Sequence, residues 1–500
     1  MSENLLPQNI NGVHIHFVGI KGTGMAALVE ILFSRGAIIT GSDVPEVFYT
    51  DEILNRLHLK ALPFSKENIT DKIEYVIYSS AYSLEKNPDL IAAKEKGVPC
   101  MLYTQALGCV SEAAYSCAVC GVHGKTTTTG LCGTIMQELN LPSQILAGSI
   151  ISSFGNTCTL TTPSFEKTQQ HIFIAETCEY QRHFMSFCPQ KIILTSVESD
   201  HQDYYPTYED ILNAFVDFIC RLPKGGTLIY CADDKGAVEA ATKAFEKRPD
   251  IKKIAYGENA PSSEYKLTIG NVENERRFFE VSGVGKFEID MPGIHLVRNS
   301  NAAIALASEL LKDFGKDVNE YYERMAVGLK RFRGGKRRSE IIGKAKNSLG
   351  KSILFMDDYG HHPTAIKTTL AGYKEFYPNR KLIVDFMSHT YSRTQSLLEE
   401  FASSFDSADL VILHKVYASA RENIADAKIT DETLFEHTKK YHKNVFYYKE
   451  ILDAKDFAIS CLEEKLEDKY SDGYLFVTMG AGDNWKIGDA LLKHFSNGDK

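Results

Sequence analysis

The sequence lacks several features that mark particular classes of protein. It has no uncharged apolar run of about 18 residues, the length of a membrane-spanning helix, so we expect no membrane segment. Its first residues, MSENLLPQNINGV, lack the basic and apolar regions of a secretory signal peptide. Basic residues are not in excess, since the formal net charge is -9. This charge argues against nucleic acid or an anionic membrane as a partner.

The 11 cysteines also lack a repeating pattern. Only Cys117 and Cys120 have CxxC spacing, and no second pair stands at a matching distance, so they do not predict a metal or redox site. Both lie in or beside a predicted strand, where buried thiols are the better interpretation. Free thiols without a framework are typical of a reducing cytosol. We therefore expect a cytoplasmic protein.

The chain of 500 residues is too long for one hydrophobic core, and its length suggests three or four domains. Three segments each begin with a strand-like run and a glycine turn. Strand patterns then alternate with helical stretches, which indicates an α/β fold with parallel sheets. In such sheets ligands gather at the carboxyl ends of strands, and the polar clusters described below all follow strands.

A predicted strand over 114–119 runs into Gly121-Val122-His123-Gly124-Lys125-Thr126. The loop departs from the strict GxxxxGK[ST] pattern because Val119 occupies the position of the first glycine. In a phosphate-binding loop, backbone N–H groups and a helix N-terminus hold phosphate oxygens, Lys125 reaches the terminal phosphates and the Thr126 hydroxyl binds Mg²⁺. We prefer this interpretation to a plain strand–helix turn.

Acidic residues and a histidine end two further predicted strands of the middle segment. Glu176 ends the run IFIAETCE, and Glu198 and His201 end KIILTSVESDH. Mg²⁺ prefers oxygen ligands and usually keeps waters, so one or two carboxylates suffice, and His201 is the less typical ligand. The alternative is that these are solvated strand ends.

The N-terminal segment carries Gly19-x-x-Gly22-x-Gly24 after a predicted strand over 14–18, with Asp43 about 20 residues on. The glycines are permuted relative to GxGxxG, so a dinucleotide site is only weakly indicated. The turn favours a diphosphate at the start of the following helix. A tight turn needed for packing alone is the alternative.

Two polar clusters follow strands in the last segment. The first contains Asp357, Asp358, Tyr359, His361 and His362; the second contains His389 and Arg393. Arginine is suited to holding a carboxylate with two hydrogen bonds. Together the clusters predict a carboxylate site, whereas any one of these residues alone would read as a surface charge.

Nine stretches, in order from residue 16 to residue 483, resemble the Mur ligases. They are HFVGIKGTGM, ITGSD, GVHGKTTTT, VESDHQDYY, PGIH with Asn299, DDYGHHPT, HTYSRT, VYASARE and MGAGD. The resemblance implies a Rossmann-like UDP-sugar-binding domain over 1–112, a P-loop ATP-binding domain over 113–330 and a Rossmann-like amino-acid-binding domain over 331–500.

The same resemblance implies an ATP-dependent ligase of peptidoglycan precursor synthesis. L-alanine would be joined to the lactyl carboxylate of UDP-N-acetylmuramate through an acyl phosphate. ATP and Mg²⁺ would be required, and the enzyme would be a monomer or homodimer in the cytoplasm.

Site roles follow from the matching motif positions. The ATP-binding positions are Gly121, His123, Gly124, Lys125, Thr126, Thr127, His295, Asn299, Arg337 and Arg338. The UDP-sugar positions are Gly22, Thr23, Gly24, Asp43, Ser79 and Ser80. The amino-acid positions are Asp358, Tyr359, His361 and Arg393, and the metal positions are Thr126, Glu176 and His201. The implied catalytic set is Lys125, Glu176, His201, His361 and Arg393.

The chain departs from the family pattern at three places. Thr177–Gln181 stand where many relatives read ADESD, and Leu296 replaces an asparagine beside the adenine position. Met387–Thr390 replace QPHR, which removes an arginine near the amino acid. No lysine lies between His201 and Lys224, so the modified lysine of several relatives is absent, and this favours the alanine-adding branch.

Three other functions remain as alternatives. A recycling ligase that adds a preformed tripeptide to the same UDP-sugar would share the ATP site and the HHPT stretch. An NAD-linked oxidoreductase would explain the N-terminal glycines but not GKTTTT. A nucleotide-binding regulator without ligase activity is disfavoured by Lys125, Glu176 and His201.

Overall fold

The computed structural model describes residues 6–48, 50–165, 171–418 and 428–496. Its strands form three sheets, which agrees with the predicted three-domain α/β fold. The chain divides into two compact units. The first contains the residues up to Ile269 with 279–288 and 298–333, and the second contains 270–278, 289–297 and the residues from Gly334 onward. The domain boundaries expected at 112/113 and 330/331 stay predictions.

The first sheet is parallel and built from the N-terminal segment. Its elements are β1 His14–Val18, α1 Thr23–Ser34, β2 Ile38–Ser42, α2 Asp51–Arg56, β3 Tyr75–Tyr78, α3 Pro88–Glu95, β4 Cys100–Leu102 and α4 Tyr103–Glu112. The strand order is β2-β1-β3-β4. Helix α1 buries Met25, Leu28, Ile31 and Leu32, whose spacing is typical of the apolar face of a helix.

The second sheet has ten strands and carries the predicted phosphate-binding loop. Its strands are β5 Tyr115–Cys120, β6 Ser143–Ile151, β7 Thr157–Thr161, β8 Ile172–Glu176, β9 Lys191–Leu194, β10 Thr227–Cys231, β11 Lys252–Gly257, β12 Tyr265–Glu273, β13 Arg276–Val281 and β14 Gly285–Ile289. The associated helices are α5 Lys125–Leu139, α6 Tyr208–Ile219, α7 Lys235–Lys247, α8 Ile294–Asp313 and α9 Tyr322–Arg331. The strand order is β14-β13-β12-β11-β10-β9-β5-β8-β6-β7. Strands β9, β5 and β8 are parallel neighbours, so their carboxyl ends meet at one edge.

Helix α8 is bound to this sheet by polar contacts along its length from Arg298 onward. These contacts join Asn301 to Gly257, Glu309 to Lys252 and Tyr265, and Asp313 to Lys191 and Tyr115. Hydrogen bonds of the Glu309 carboxylate to Lys252, Lys312 and Tyr265 outweigh its burial and lower its pKa to about 2. The helix is therefore fixed to several strands rather than to one.

The third sheet lies in the second unit. Its elements are β15 Glu340–Lys346, β16 Ser352–Asp358, α10 Pro363–Phe376, β17 Arg380–Phe386, α11 Tyr391–Ser396, α12 Leu398–Ala402, β18 Leu410–Leu413, α13 Thr433–Thr438, β19 Val445–Tyr447, α14 Lys455–Leu462, β20 Gly473–Met479 and α15 Trp485–Ser496. The strand order is β15-β16-β20-β17-β18-β19, with β15 antiparallel and the others parallel. Apolar side chains bury both faces of the central strands, as expected for a doubly covered sheet.

Short 3₁₀ helices complete the described elements at Lys66–Asn68, Ser152–Phe154, Tyr180–Ser186, Val318–Tyr321 and Ile451–Ala454. None of the helices in the described ranges is long and apolar enough to cross a membrane.

Candidate active site

The predicted phosphate-binding loop connects β5 to α5. Gly121 and Gly124 have φ values of 133° and 81°, in the left-handed region that favours glycine. A Cβ at Gly121 would lie 2.1 Å from Thr195 Oγ1, and one at Gly124 would lie 2.7 Å from Asn299 Oδ1. Both glycines are therefore required by backbone conformation and by close neighbours. Lys125 is the first residue of α5, so the loop leads directly into a helix N-terminus.

The loop is fastened to the end of β9. The Thr195 hydroxyl donates to the His123 carbonyl at 2.5 Å, and the Ser196 hydroxyl accepts from the His123 N–H at 2.9 Å. The His123 imidazole also pairs with Glu198. His123, a predicted ATP-binding residue, thus has structural contacts on both backbone and side chain.

The Lys125 ammonium is paired with Glu179. It donates to both carboxylate oxygens, at 3.0 and 2.9 Å, and also to the Gly121 and Val122 carbonyls. Burial lowers the pKa of Lys125, but the Glu179 carboxylate outweighs this effect and the net pKa is raised. For Glu179 the burial effect is likewise outweighed by Lys125, and its pKa is lowered. Both groups are therefore charged at neutral pH.

The predicted metal positions lie around this pair. Glu176 ends β8, and its Oε2 accepts a hydrogen bond from the Gly148 N–H at 2.6 Å. Nε2 of His201 lies 3.5 Å from Glu179 Oε1. Within the described residues, neither the buried Thr126 hydroxyl nor Oε1 of Glu176 has a hydrogen-bond partner. Two oxygen atoms are thus open for a ligand beside the loop.

Asn299 and its neighbours approach the same loop from α8. Asn299 is buried, and its amide oxygen faces Gly124, as the close distance above indicates. Arg298, which was not predicted, pairs with Asp233 at 3.2 Å and with Glu258 at 3.0 Å.

Two further predicted ATP-binding residues lie in different units. Thr127 is partly buried in the first turn of α5, whereas His295 belongs to the second unit, where its ring lies against Gly293.

The N-terminal glycine turn lies at the carboxyl ends of β1 and β2. Asp43 is buried, and its carboxylate accepts the Lys21 N–H at 2.7 Å and the Tyr82 hydroxyl at 3.0 Å. Gly22 precedes α1, whose first two residues are Thr23 and Gly24. Asp43 therefore shapes the glycine turn, and a contact to the UDP-sugar stays a prediction.

Ser79 and Ser80 follow β3 at the same edge of this sheet. The Ser79 N–H donates to the Val18 carbonyl, and the Ser79 hydroxyl accepts from the Ala81 N–H at 3.3 Å. Ser80 is exposed. The structure brings these residues to the same edge as the predicted diphosphate turn.

In the second unit, the side chain of Arg337 is hydrogen-bonded to residues of the same unit. Its guanidinium donates to Asp357 at 2.8 Å and to the carbonyls of Gly482 and Gly480 at 3.1 and 2.7 Å. The guanidinium groups of Arg337 and Arg338 lie 5.4 and 5.2 Å from the centre of the Tyr359 ring. Of the two arginines predicted at the ATP, Arg337 thus has the more extensive structural role.

Asp358 has a mainly structural environment. Its carboxylate accepts the N–H groups of Ser339 and Gly360, both at 2.7 Å, and lies 3.4 Å from the Tyr373 hydroxyl. His361 is placed by a 2.9 Å hydrogen bond between its Nδ1 and the Tyr359 carbonyl. A contact of either residue with the amino acid stays a prediction.

Arg393 lies in α11, which starts after the unusual residue Thr390. Thr390 has φ 68°, and its hydroxyl accepts the Arg393 N–H at 3.4 Å. The ring centres of His361 and His389 are 6.3 Å apart, so the residues that follow β16 and β17 lie close together. A carboxylate site formed by these residues stays a prediction.

Sequence reasoning missed a buried ion pair behind this edge. Asp385 and His414 are both fully buried, with 2.9 Å between Oδ2 and Nε2. Nδ1 of His414 lies 2.8 Å from the Tyr448 carbonyl. Each residue sits within an apolar strand pattern, and their pairing depends on the register of β17 and β18, which the sequence does not reveal.

Comparisons with known proteins agree with this arrangement. Three family models match: "Mur ligase family, catalytic domain" over 14–115, "Mur ligase middle domain" over 119–307 and "Mur ligase, glutamate ligase domain" over 337–482. A UDP-N-acetylmuramate–L-alanine ligase from Treponema pallidum is 47% identical over 99% of both chains. One from Borrelia garinii is 36% identical over 96% of this chain and 98% of its own length.

Solved structures share the fold. A UDP-N-acetylmuramate–alanine ligase from Thermotoga maritima has a TM-score of 0.72 at 22% identity, covering 97% of this chain and 99% of its own. A murein peptide ligase from Psychrobacter arcticus has a TM-score of 0.62, also at 22% identity and with the same coverage. With these full-length matches and the three-sheet architecture, the chain belongs to the Mur ligase family.

Proposed function

We propose that this protein is an ATP-dependent ligase that joins L-alanine to the lactyl carboxylate of UDP-N-acetylmuramate. The observation that carries the proposal is the 47% identity, over 99% of both chains, to a ligase named for that reaction. The relative at 36% identity carries the same name. The reaction would supply precursors for peptidoglycan.

The chemistry we propose begins at the phosphate-binding loop. The backbone N–H groups from Gly121 to Thr126 and the N-terminus of α5 would hold the triphosphate of ATP. Lys125 would exchange its contact with Glu179 for the terminal phosphate and neutralise charge as the phosphoryl group is transferred. The lactyl carboxylate would attack the γ-phosphorus and release ADP, and the alanine amine would then attack the acyl phosphate and release inorganic phosphate.

Mg²⁺ fits the donor set beside this loop. The Thr126 hydroxyl and Glu176 Oε1 are oxygen atoms without protein partners among the described residues, and oxygen is the ligand that Mg²⁺ prefers. Thr126, Glu176 and His201 would hold the ion. When bound, it would withdraw electron density from the phosphate oxygens.

The remaining roles are also part of the proposal. Gly22, Thr23, Gly24, Asp43, Ser79 and Ser80 would form the UDP-sugar site, and His295, Asn299, Arg337 and Arg338 would add ATP contacts. His361 and Arg393, with Asp358 and Tyr359, would receive the amino acid, Arg393 holding its carboxylate. We propose that the enzyme acts as a monomer or homodimer in the cytoplasm, where ATP and UDP-activated sugars occur.

The deciding experiment measures phosphate release and amide formation by the purified protein with ATP, Mg²⁺ and UDP-N-acetylmuramate. L-alanine, L-serine, glycine and a preformed peptidoglycan tripeptide are supplied one at a time. We expect L-alanine to give the highest kcat/KM. Preference for the tripeptide would replace the proposal with the recycling ligase, and absence of turnover with every acceptor would reject ligase activity.

A further inference from the structure

Tyr103 connects two parts of the candidate site that lie far apart in the sequence. It is the first residue of α4. A Cβ added at Gly24 would lie 2.9 Å from Cζ and 3.1 Å from the hydroxyl oxygen of Tyr103. The hydroxyl end of the ring therefore touches the first turn of α1, where the glycine turn predicts a diphosphate.

The other end of α4 is packed on the segment that follows Glu176 and Glu179. A Cβ at Gly108 would lie 2.5 Å from the Ser186 carbonyl oxygen, and the Ser111 hydroxyl accepts the Cys188 N–H at 3.0 Å. Helix α4 thus fixes Tyr103 relative to both the glycine turn and the residues around Lys125.

The Tyr103 hydroxyl has no hydrogen-bond partner anywhere in the described ranges, although the ring is only partly exposed. A half-buried phenol usually finds a partner. Burial raises the pKa of Tyr103, and the nearby negative charge of Glu176 raises it further. The group therefore stays protonated at neutral pH and is available as a donor.

From this geometry we infer that the Tyr103 hydroxyl donates a hydrogen bond to an anionic oxygen of the UDP-sugar. The inference rests on the proposed function, which supplies the identity of that ligand. Two anionic groups of UDP-N-acetylmuramate qualify, the diphosphate and the lactyl carboxylate. Tyr103 is thereby a substrate-binding residue in addition to the six residues predicted from the sequence.

The test compares the wild-type protein with Tyr103→Phe, which removes only the hydroxyl, and with Tyr321→Phe as a matched control. Tyr321 lies in the same unit, and its hydroxyl contacts only Lys316 among the groups described. Calorimetry without ATP measures the Kd for UDP, UDP-N-acetylglucosamine and UDP-N-acetylmuramate. A separate titration measures the Kd for ATP, and thermal melting checks the fold.

We expect Tyr103→Phe to raise the Kd for UDP-N-acetylmuramate by about threefold to tenfold, the effect of losing one hydrogen bond. The affinity for ATP and the melting temperature should be unchanged. Equal weakening of all three UDP ligands identifies the diphosphate as the acceptor, and weakening of UDP-N-acetylmuramate alone identifies the lactyl carboxylate. Weaker binding of UDP-N-acetylglucosamine together with unchanged binding of UDP would contradict an anionic partner. A Tyr103→Phe protein that binds every ligand like the wild type would overturn the inference.

The two proposals fail in different ways. If wild-type protein joins alanine but Tyr103→Phe binds the UDP-sugar normally, the function stands and the contact falls. If Tyr103→Phe weakens the UDP-sugar but wild-type protein joins no alanine, the contact stands and the function falls. Wild-type protein that binds no UDP ligand and joins no alanine would reject both.

Discussion

Lys125 and Glu179 form a buried ion pair in which the ammonium donates to both carboxylate oxygens, at 3.0 and 2.9 Å. The Glu179 side chain is only 2% exposed and that of Lys125 14%. Removing one partner of such a pair leaves an uncompensated buried charge. Lys125 therefore contributes to the stability of the protein as well as to the proposed chemistry.

The first prediction separates these two effects. We expect Lys125→Ala to abolish turnover and to lower the free energy of unfolding by about 3 kcal/mol, because Glu179 is left unpaired. The double variant Lys125→Ala/Glu179→Gln should regain stability but not activity. Denaturant unfolding and phosphate release measure the two quantities, and normal phosphate release by either variant would contradict the role of Lys125.

The second prediction concerns the close contact of Gly124 with Asn299. Gly124→Ala combines a left-handed backbone, at φ 81°, with a Cβ 2.7 Å from Asn299 Oδ1. We expect it to destabilise the protein by about 1–3 kcal/mol and to raise the KM for ATP. Gly124→Ala/Asn299→Gly should recover the part caused by the clash. If thermal melting shows no recovery, Asn299 is not the limiting neighbour.

The third prediction tests the open oxygen atoms for Mg²⁺. Glu176→Gln replaces one carboxylate oxygen with an amide NH₂, and we expect activity to require a higher Mg²⁺ concentration. Chelation should stop turnover in both proteins. Glu239→Gln, a surface change on α7, is the matched control. Identical Mg²⁺ titrations for Glu176→Gln and the wild type would argue against a ligand at this position.

The fourth prediction addresses the amino-acid site. Arg393→Ala should raise the KM for L-alanine more than the KM for ATP, because a contact to the carboxylate is lost. Arg393→Lys keeps the charge without the forked geometry, so its KM should be intermediate. Steady-state kinetics with each substrate varied in turn decides this, and equal rises in both KM values would speak against a carboxylate contact.

The fifth prediction is a pH dependence of stability caused by His414. Burial lowers its pKa, but the Asp385 charge, their hydrogen bond and a hydrogen bond to Tyr448 outweigh burial, so the net pKa is raised above 6.5. A group whose pKa is raised in the folded state stabilises the protein fully when the pH is below its pKa in the unfolded state. This stabilisation is lost as the pH rises through its pKa in the folded state.

We therefore expect the advantage of wild type over His414→Gln in the free energy of unfolding to shrink as the pH rises above about 6.5. Denaturant unfolding at pH 6, 7.5 and 9 measures it. His494→Gln, an exposed change on α15, provides the control. A difference between wild type and His414→Gln that is constant over this range would show that the ion pair does not titrate there.

The sequence predicts those elements that depend on contiguous residues. The apolar spacing of α1, the strand that precedes Gly121 and the strand ends near Glu176 are all present in the structure. The Mur resemblance rested on contiguous motifs, so it too could be found without coordinates. Local pattern and motif together identified the α/β class, whereas phosphate binding by the loop between β5 and α5 stays a prediction.

Contacts between distant segments could not be derived in this way. Lys125 and Glu179 are 54 positions apart, and they meet only because β8 is the sheet neighbour of β5. Nothing in the sequence around Tyr103 indicates a site, because the contact of its ring with Gly24 depends on how α4 packs against α1. Strands β12 to β14 were also missed, because several of their positions are exposed and give a weak apolar pattern.

The fastening of α8 to successive strands has a consequence for local unfolding. The contacts of Asn301, Glu309 and Asp313 with the sheet are spread over the 16 residues from Arg298 to Asp313, roughly 24 Å of helix. We therefore expect that one turn of the helix cannot detach without breaking a charged or amide contact there or in the adjacent turn. Amide protons in this stretch should therefore exchange with solvent mainly through opening of the second sheet. The helix would then report on cooperative unfolding of the sheet rather than on fraying at its own ends.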